Sequence, residues 1–240
     1  GDSNVAVGDS TLNLNTIGRA NVAVGSNTLN KTTTGSNNTA VGHQAGYNHT
    51  SSSPNYSNTY IGYQAGLSTT TGTDVTYVGG FAGRYQTGAQ NVAVGGGALY
   101  GVSGSSTGIN NTAVGYQAGN ANTTGTENAF FGLFAGLSNT TGQYNTAVGG
   151  RYALQLNTTG ANNTAVGYQA AYSNQTGASL TAVGYQALRA NTVGGSTAFG
   201  YAAGQATTTG YVNAFGYQSL YANTTGSSNA GFGDSSLFSN

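Results

Sequence analysis

Cysteine, methionine and tryptophan are absent from this chain of 240 residues, proline occurs once, and only 4% of positions are charged. Without cysteine there is no disulfide scaffold, no thiolate chemistry and no zinc knuckle, and with one proline there is no collagen-like helix. Globular chains carry roughly a quarter of their residues charged. Here five Lys and Arg balance five Asp and Glu. A surface without net charge has no field to gather phosphates or anionic lipid, which argues against a nucleic-acid partner and against membrane binding. Apolar runs are a few residues long, too short to insert in a membrane or to form a signal-peptide core. Because methionine is missing even from position 1, the chain reads as a processed product or a segment of something longer.

Glycine is abundant, with 41 residues, and it closes a phrase that keeps returning: Val5-Ala6-Val7-Gly8, Val22-Ala23-Val24-Gly25, Thr39-Ala40-Val41-Gly42, Thr112-Ala113-Val114-Gly115, Thr164-Ala165-Val166-Gly167, Thr181-Ala182-Val183-Gly184. With that glycine as anchor, the series runs Gly8, Gly25, Gly42, Gly62, Gly79, Gly95, Gly115, Gly132, Gly149, Gly167, Gly184, Gly200, Gly216 and Gly233. The spacing is 16 to 20 residues with a mean close to 17. A unit this short cannot bury its own faces, so the period predicts one repeat domain over 1–240, a parallel β-roll or β-solenoid of about 14 coils.

The residue before each anchor is Val, Ile or Phe, as at Val41, Ile61, Val114, Phe199 and Phe232. Such side chains favour a strand, and being always large they are expected to form the interior column. The residue before that is mostly Ala, which puts a small apolar side chain on the opposite strand face. After the anchor comes Tyr63-Gln64-Ala65, Tyr116-Gln117-Ala118, Tyr168-Gln169-Ala170 or Tyr185-Gln186-Ala187, which reads as a second strand. A Thr-Thr-Gly or Thr-Gly turn follows, as at Gly142 and Gly160, where glycine is expected to supply a positive φ. No segment shows a helical period, so the fold class is all-β. Ten of the fourteen coils place Asn four residues before the anchor, including Asn21, Asn38, Asn111 and Asn163. Stacking would let these amides hydrogen-bond along the axis and satisfy corner backbone groups.

A strand apolar on both faces needs cover on both. With Val, Ile and Phe placed inside, the Ala face is left for a neighbour, which predicts lateral association into a homotrimer through residues such as Ala113. The Asn-Thr-Ala-Val-Gly and Asn-Val-Ala-Val-Gly phrases resemble the head repeats of YadA-like trimeric autotransporter adhesins, and similar repeats occur in tail fibre proteins of phages. The resemblance runs from Asn4 to Gly233 and implies a left-handed parallel β-roll of three chains. The coil here is longer than that family's, the extra residues lying in the Thr-Thr-Gly segment, and neck, stalk and membrane anchor are not visible.

Chemistry is sparse. Asp2, Asp9, Asp74, Glu127 and Asp234 are scattered, and a solenoid keeps Asp74 and Glu127 too far apart in one chain to act as a glycosidase pair. His43 and His49 have no Cys and no neighbouring carboxylate, so no metal site is expected and both read as solvated loop residues. Gly95-Gly96-Gly97 has no Lys after it and opens no helix, which makes it a close-packed corner rather than a phosphate loop. Neither cofactor nor catalytic residue is expected, and an enzyme acting on polysaccharide at a groove between subunits is the most distant reading. Tyr63, Tyr116, Tyr168, Tyr185, Tyr201 and Tyr217 hold equivalent places and should line up on one side, packing on neighbouring coils or offering rings to sugars. Two 20-residue coils carry insertions, Tyr47 to Ser57 with Pro54 and Tyr100 to Asn110. Insertions in a solenoid become surface loops, so Tyr47, His49, Tyr56, Tyr100 and Ile109 are candidate receptor contacts. The expectation is a non-enzymatic structural and receptor-binding segment of an extracellular fibre, located on a virion tail fibre or a bacterial surface. Its partners would be copies of itself and a cell-surface glycan or protein. A self-assembling extracellular filament is the alternative.

Overall fold

In a computed structural model the chain is all-β, with residues 1–50 and 57–239 described. It divides into two compact units, Gly1–Thr124 and Gly125–Asn240. The first holds β1 (Val5–Val7), β2 (Val22–Val24), β3 (Thr39–Val41), β4 (Thr59–Ile61), β5 (Thr76–Val78), β6 (Val92–Val94) and β7 (Thr112–Val114). The second holds β8 (Ala129–Leu133), β9 (Thr146–Arg151), β10 (Thr164–Val166), β11 (Thr181–Val183), β12 (Thr197–Phe199), β13 (Val212–Phe215) and β14 (Asn229–Phe232). Within each unit the strands pair in parallel and in sequence order, aligned by their anchors: Val24 lies opposite Val41, and Val166 opposite Val183. The extra residue of β9 forms a bulge against Phe131–Leu133. Each unit is therefore a parallel β-solenoid, and no helix is present among the described residues.

Among the described residues each coil has one strand, not two. The Tyr-Gln-Ala segment curls because its glutamine is left-handed, with φ +53° at Gln64, +53° at Gln117 and +54° at Gln186. Two residues on, a second left-handed residue follows, such as Leu29 at +46° or Leu188 at +48°. For an L-residue that conformation costs roughly 1–2 kcal/mol. Bonds between coils offset it: the Gln64 N–H donates to the His43 carbonyl at 3.0 Å, and the Gly66 N–H to the Ala82 carbonyl at 2.9 Å.

The curl brings the two walls close together, and this reverses the expected facing of the strands. Ala23, Ala40, Ala113, Ala165 and Ala182 are fully buried, as are Ala65, Ala118 and Ala187 of the curled wall. Val114 and Val183 are half-buried and Val41 is 37% exposed, so the residue before the anchor points outward. Ala113 and its equivalents thus lie inside the coil and cannot make the lateral contact expected of them. Size is balanced across the narrow interior. Where the inner strand residue is Ala, the facing position often carries a buried leucine, as at Leu29, Leu99, Leu154, Leu188 and Leu220. Where it is Tyr60, Tyr77 or Phe130, that position is glycine: a Cβ on Gly66 would stand 2.3 Å from the Tyr60 ring, and one on Gly136 2.5 Å from Phe130.

The asparagine stack forms as expected. The Asn21 Oδ1 accepts from both the backbone N–H and the Nδ2 of Asn38, each at 3.0 Å. The Asn145 Oδ1 accepts from the Asn163 N–H, and the Asn163 Oδ1 from the Leu180 N–H, both at 3.0 Å. A second amide stack lies seven or eight residues after the anchors. There Asn157 Nδ2 donates to Asn139 Oδ1 at 2.8 Å and to the Gly160 carbonyl at 3.0 Å. The glycines of the Thr-Thr-Gly turns serve a different purpose from the one expected. Gly142 and Gly160 do not have positive φ; a Cβ there would lie 2.4 Å and 2.3 Å from the glycine carbonyl oxygen of the next coil. Close approach of coils, not turn geometry, requires them.

Two substitutions test this packing by denaturant unfolding at fixed protein concentration. Ala182→Leu overfills the interior and should cost about 1–3 kcal/mol. Asn145→Ala leaves the buried Asn163 N–H without an acceptor and should also cost about 1–3 kcal/mol.

Candidate functional site

The tyrosine row exists and is solvent-facing, with Tyr63, Tyr116, Tyr185, Tyr201 and Tyr217 among the more exposed side chains and Tyr168 at 36%. In the second unit its rings stack face to face. Tyr168–Tyr185, Tyr185–Tyr201 and Tyr201–Tyr217 have centroids 5.1, 4.9 and 5.1 Å apart, with interplanar angles of 11°, 5° and 12°. Rings that cover one another's faces leave edges and hydroxyls to solvent, so this stretch is poorly suited to stacking on sugars. In the first unit His43 stacks on Tyr63 at 5.7 Å, and Tyr63 meets Phe81 edge-on at 5.0 Å.

A second aromatic column is formed by residues that their size alone places in the interior. Phe199–Phe215 and Phe215–Phe232 stack at 5.4 and 5.1 Å on the outward strand face. The signal was in the phrase itself, since Phe replaces Val at the position before the anchor in consecutive coils. The glutamines also form a stack: Gln64 Nε2 donates to Gln44 Oε1 at 2.7 Å, and Gln186 Nε2 to Gln169 Oε1 at 2.8 Å.

The candidate receptor contacts differ in exposure. Pro54 and Tyr56 lie outside the described residues. Tyr47 is half-buried beneath the Lys31 ammonium, which sits 5.2 Å from its ring. Ile109 is exposed, whereas Ser106 of the same insertion is buried and bridges to Gln86. Tyr100 is half-buried, and its hydroxyl accepts from Arg84 Nη1 at 2.8 Å. Asp74 and Glu127 hold the same coil position, five before the anchor, in different units. No three His, Asp or Glu side chains cluster among the described residues.

His49 is the clear correction. It is 1% exposed, inside the coil rather than in a solvated loop, with Nδ1 3.4 Å from the Tyr60 hydroxyl. It belongs to the column seven residues after the anchor, where Thr32, Thr69, Asn139 and Asn174 are also buried. Counting seven from Gly42 would have found it. Gly95-Gly96-Gly97 also departs from expectation in part. A Cβ on Gly95 would lie 2.6 Å from the Gly115 carbonyl oxygen, but Gly96 and Gly97 line an open groove of about 450 Å³.

Burial pushes the His49 ring down from the ordinary 6.5 to about 4, against a weaker upward pull from a backbone hydrogen bond with Thr69. The unfolded chain gains the proton as pH falls through 6.5, the folded chain only near 4. This contribution to stability is therefore complete above pH 6.5 and is lost as pH falls toward 4, by about 3 kcal/mol. His49→Asn, which introduces the residue found at this coil position in Asn139 and Asn174, should flatten that part of the melting temperature's pH profile. Comparison with family models, curated proteins and solved structures returns no match for this chain.

Proposed function

We propose that the chain is a non-enzymatic structural and receptor-binding segment of an extracellular fibre, a phage tail fibre or bacterial surface adhesin, and that it works as a homotrimer. One observation carries the reading: the outward strand face is an uncovered apolar column. Val41, Ile61, Phe131, Val148, Phe199 and Phe232 are each at least 37% exposed, and within each unit they stand in register on parallel strands. Parallel sheets are normally covered on both faces, and exposed apolar stripes of this kind mark contact surfaces. Thr39, Thr112 and Thr164 flank the column on the same face, half-buried and uncharged.

The fitting occupant is a second copy of the chain. Its side chains repeat at the same axial spacing, so Val and Phe of one column can seat between those of another over many coils. Three such faces meeting at an axis would remove the stripe from water. The contact residues are then the Val, Ile and Phe before the anchors, not the alanines. Low charge and backbone groups satisfied between coils suit a structural segment, and the attachment role adds that it carries contacts on its sides.

Sedimentation should find three chains in the particle. Val183→Glu, with its carboxylate on the outward face, should reduce it to monomer while the β circular-dichroism spectrum persists. A wild-type monomer, or a Val183→Glu protein that remains trimeric, would contradict the assembly.

A further inference from the structure

The first unit contains a gap that the repeat does not need. The position after the anchor is tyrosine in Tyr63 and Tyr116 but glycine in the two intervening coils, Gly80 and Gly96, and Gly97 extends the gap by one residue. Unlike the anchors, Gly80 and Gly96 are not in the left-handed region. A Cβ on Gly80 would meet nothing within 4 Å, and one on Gly96 would meet only the Tyr116 ring and, at 4.0 Å, the Gly80 carbonyl. Neither backbone strain nor packing calls for glycine at position 80. What its absence of a side chain provides is space, the groove of about 450 Å³.

The groove is walled by Phe81, Tyr100 and Tyr116. Its rings are not arranged like the face-to-face stack of the second unit. Phe81 and Tyr100 meet at 64°, and Tyr85 and Tyr100 at 87°. Arg84 lies over the Phe81 and Tyr100 rings and Tyr63 packs edge-on against Phe81, so the ring the groove reaches most directly is exposed Tyr116, which borders the space left by Gly96. Its polar groups are amides and a phenol. Gln117 occupies the place of the stacked glutamines, yet the preceding coil offers it Gly97 instead of a glutamine, and its side chain makes no ladder bond of the Gln186–Gln169 kind. The Tyr100 hydroxyl accepts from Arg84, which leaves its own proton to donate. Asn120 Nδ2 is held by the Gly97 carbonyl at 2.9 Å, leaving Oδ1 as an acceptor. No charged side chain lines the groove, and the nearby Arg84 guanidinium lies over the Phe81, Tyr85 and Tyr100 rings at 5.1, 4.9 and 5.6 Å.

We infer that this groove binds one or two rings of a neutral saccharide. A pyranose has an apolar C–H face to lay on an aromatic ring and a rim of hydroxyls that both donate and accept, which matches ring faces bordered by neutral amides and a phenol. The volume falls within the roughly 300–1,000 Å³ of small-molecule clefts. The inference deepens the attachment reading by naming a ligand class, and rests on that reading only for its biological setting.

Saturation-transfer NMR on the intact protein, with maltose, lactose and cellobiose as neutral probes and glucuronate as the charged comparison, tests it. At least one neutral disaccharide should receive saturation and glucuronate less. Gly80→Tyr, which restores one of the two missing rings and fills the groove, should abolish the transfer with the thermal melt unchanged. If that variant misfolds, Gln117→Leu should weaken the signal several-fold instead. No signal from any neutral probe, a preference for glucuronate, or binding that survives the folded Gly80→Tyr variant (or Gln117→Leu in its place) would overturn the inference. Sedimentation of the same samples separates this from the assembly reading: a monomer that binds refutes only the trimer, and a trimer that does not bind refutes only the groove.

Discussion

A coil of about seventeen residues has so little interior that it depends on hydrogen bonds to the coils on either side. Those bonds run through side chains as well as backbone. Most asparagines four residues before an anchor accept the N–H of the next coil at a point where the chain turns and no strand partner is available, as Asn145 does for Asn163. Without that acceptor a buried donor would go unpaired at each of those corners. In the second amide stack Asn139, Asn157 and Asn174 bond to one another, and their Nδ2 groups donate to the carbonyls of the turn glycines Gly142, Gly160 and Gly177. Because the coils are tied this closely, there is no room for a Cβ where glycine backbones pass each other, and most anchors, such as Gly25, Gly95 and Gly167, are glycine for that reason as well as for their φ near +130°.

The period, the all-β class and the asparagine stack could be read from the sequence because each is a matter of spacing, and spacing survives translation into structure. Facing could not be read by the rule that the largest invariant residue lies inside. That rule holds for thick cores. Here left-handed residues such as Gln64 and Leu188 draw the walls together until alanine fills most of the gap, so the small residue is interior and Val41 or Phe199 is pushed out. A better signal was present in the exchange of sizes: Tyr60 with Gly66, Tyr77 with Gly83, and Phe130 with Gly136. Only residues that share an interior need to compensate each other's volume. His49 was misread similarly, as a loop residue rather than as the seventh residue of a coil.

The reversed facing also changes what the surface can do. Alanine outside would have given a smooth, weakly apolar flank; Val, Ile and Phe outside give a grooved apolar column that repeats with the coil. The aromatic row beside it serves two purposes in one fold. Where its rings stack in parallel, as from Tyr168 to Tyr217, it reinforces the axis, and where Gly80 and Gly96 interrupt it, it opens. A repeat protein acquires a distinct site by departing from its own repeat, and glycines that the backbone does not demand are such a departure.

The dependence of the fold on side-chain acceptors at the corners is most directly tested by native-state hydrogen exchange at the backbone amides of Asn163 and Leu180. Both lie outside the regular strand ladder, and both donate to an asparagine side chain. They should exchange as slowly as amides within β10 and β11. Exchange as fast as that of Ser103, in the exposed turn after Tyr100, would mean that the asparagine stack does not hold the coils together.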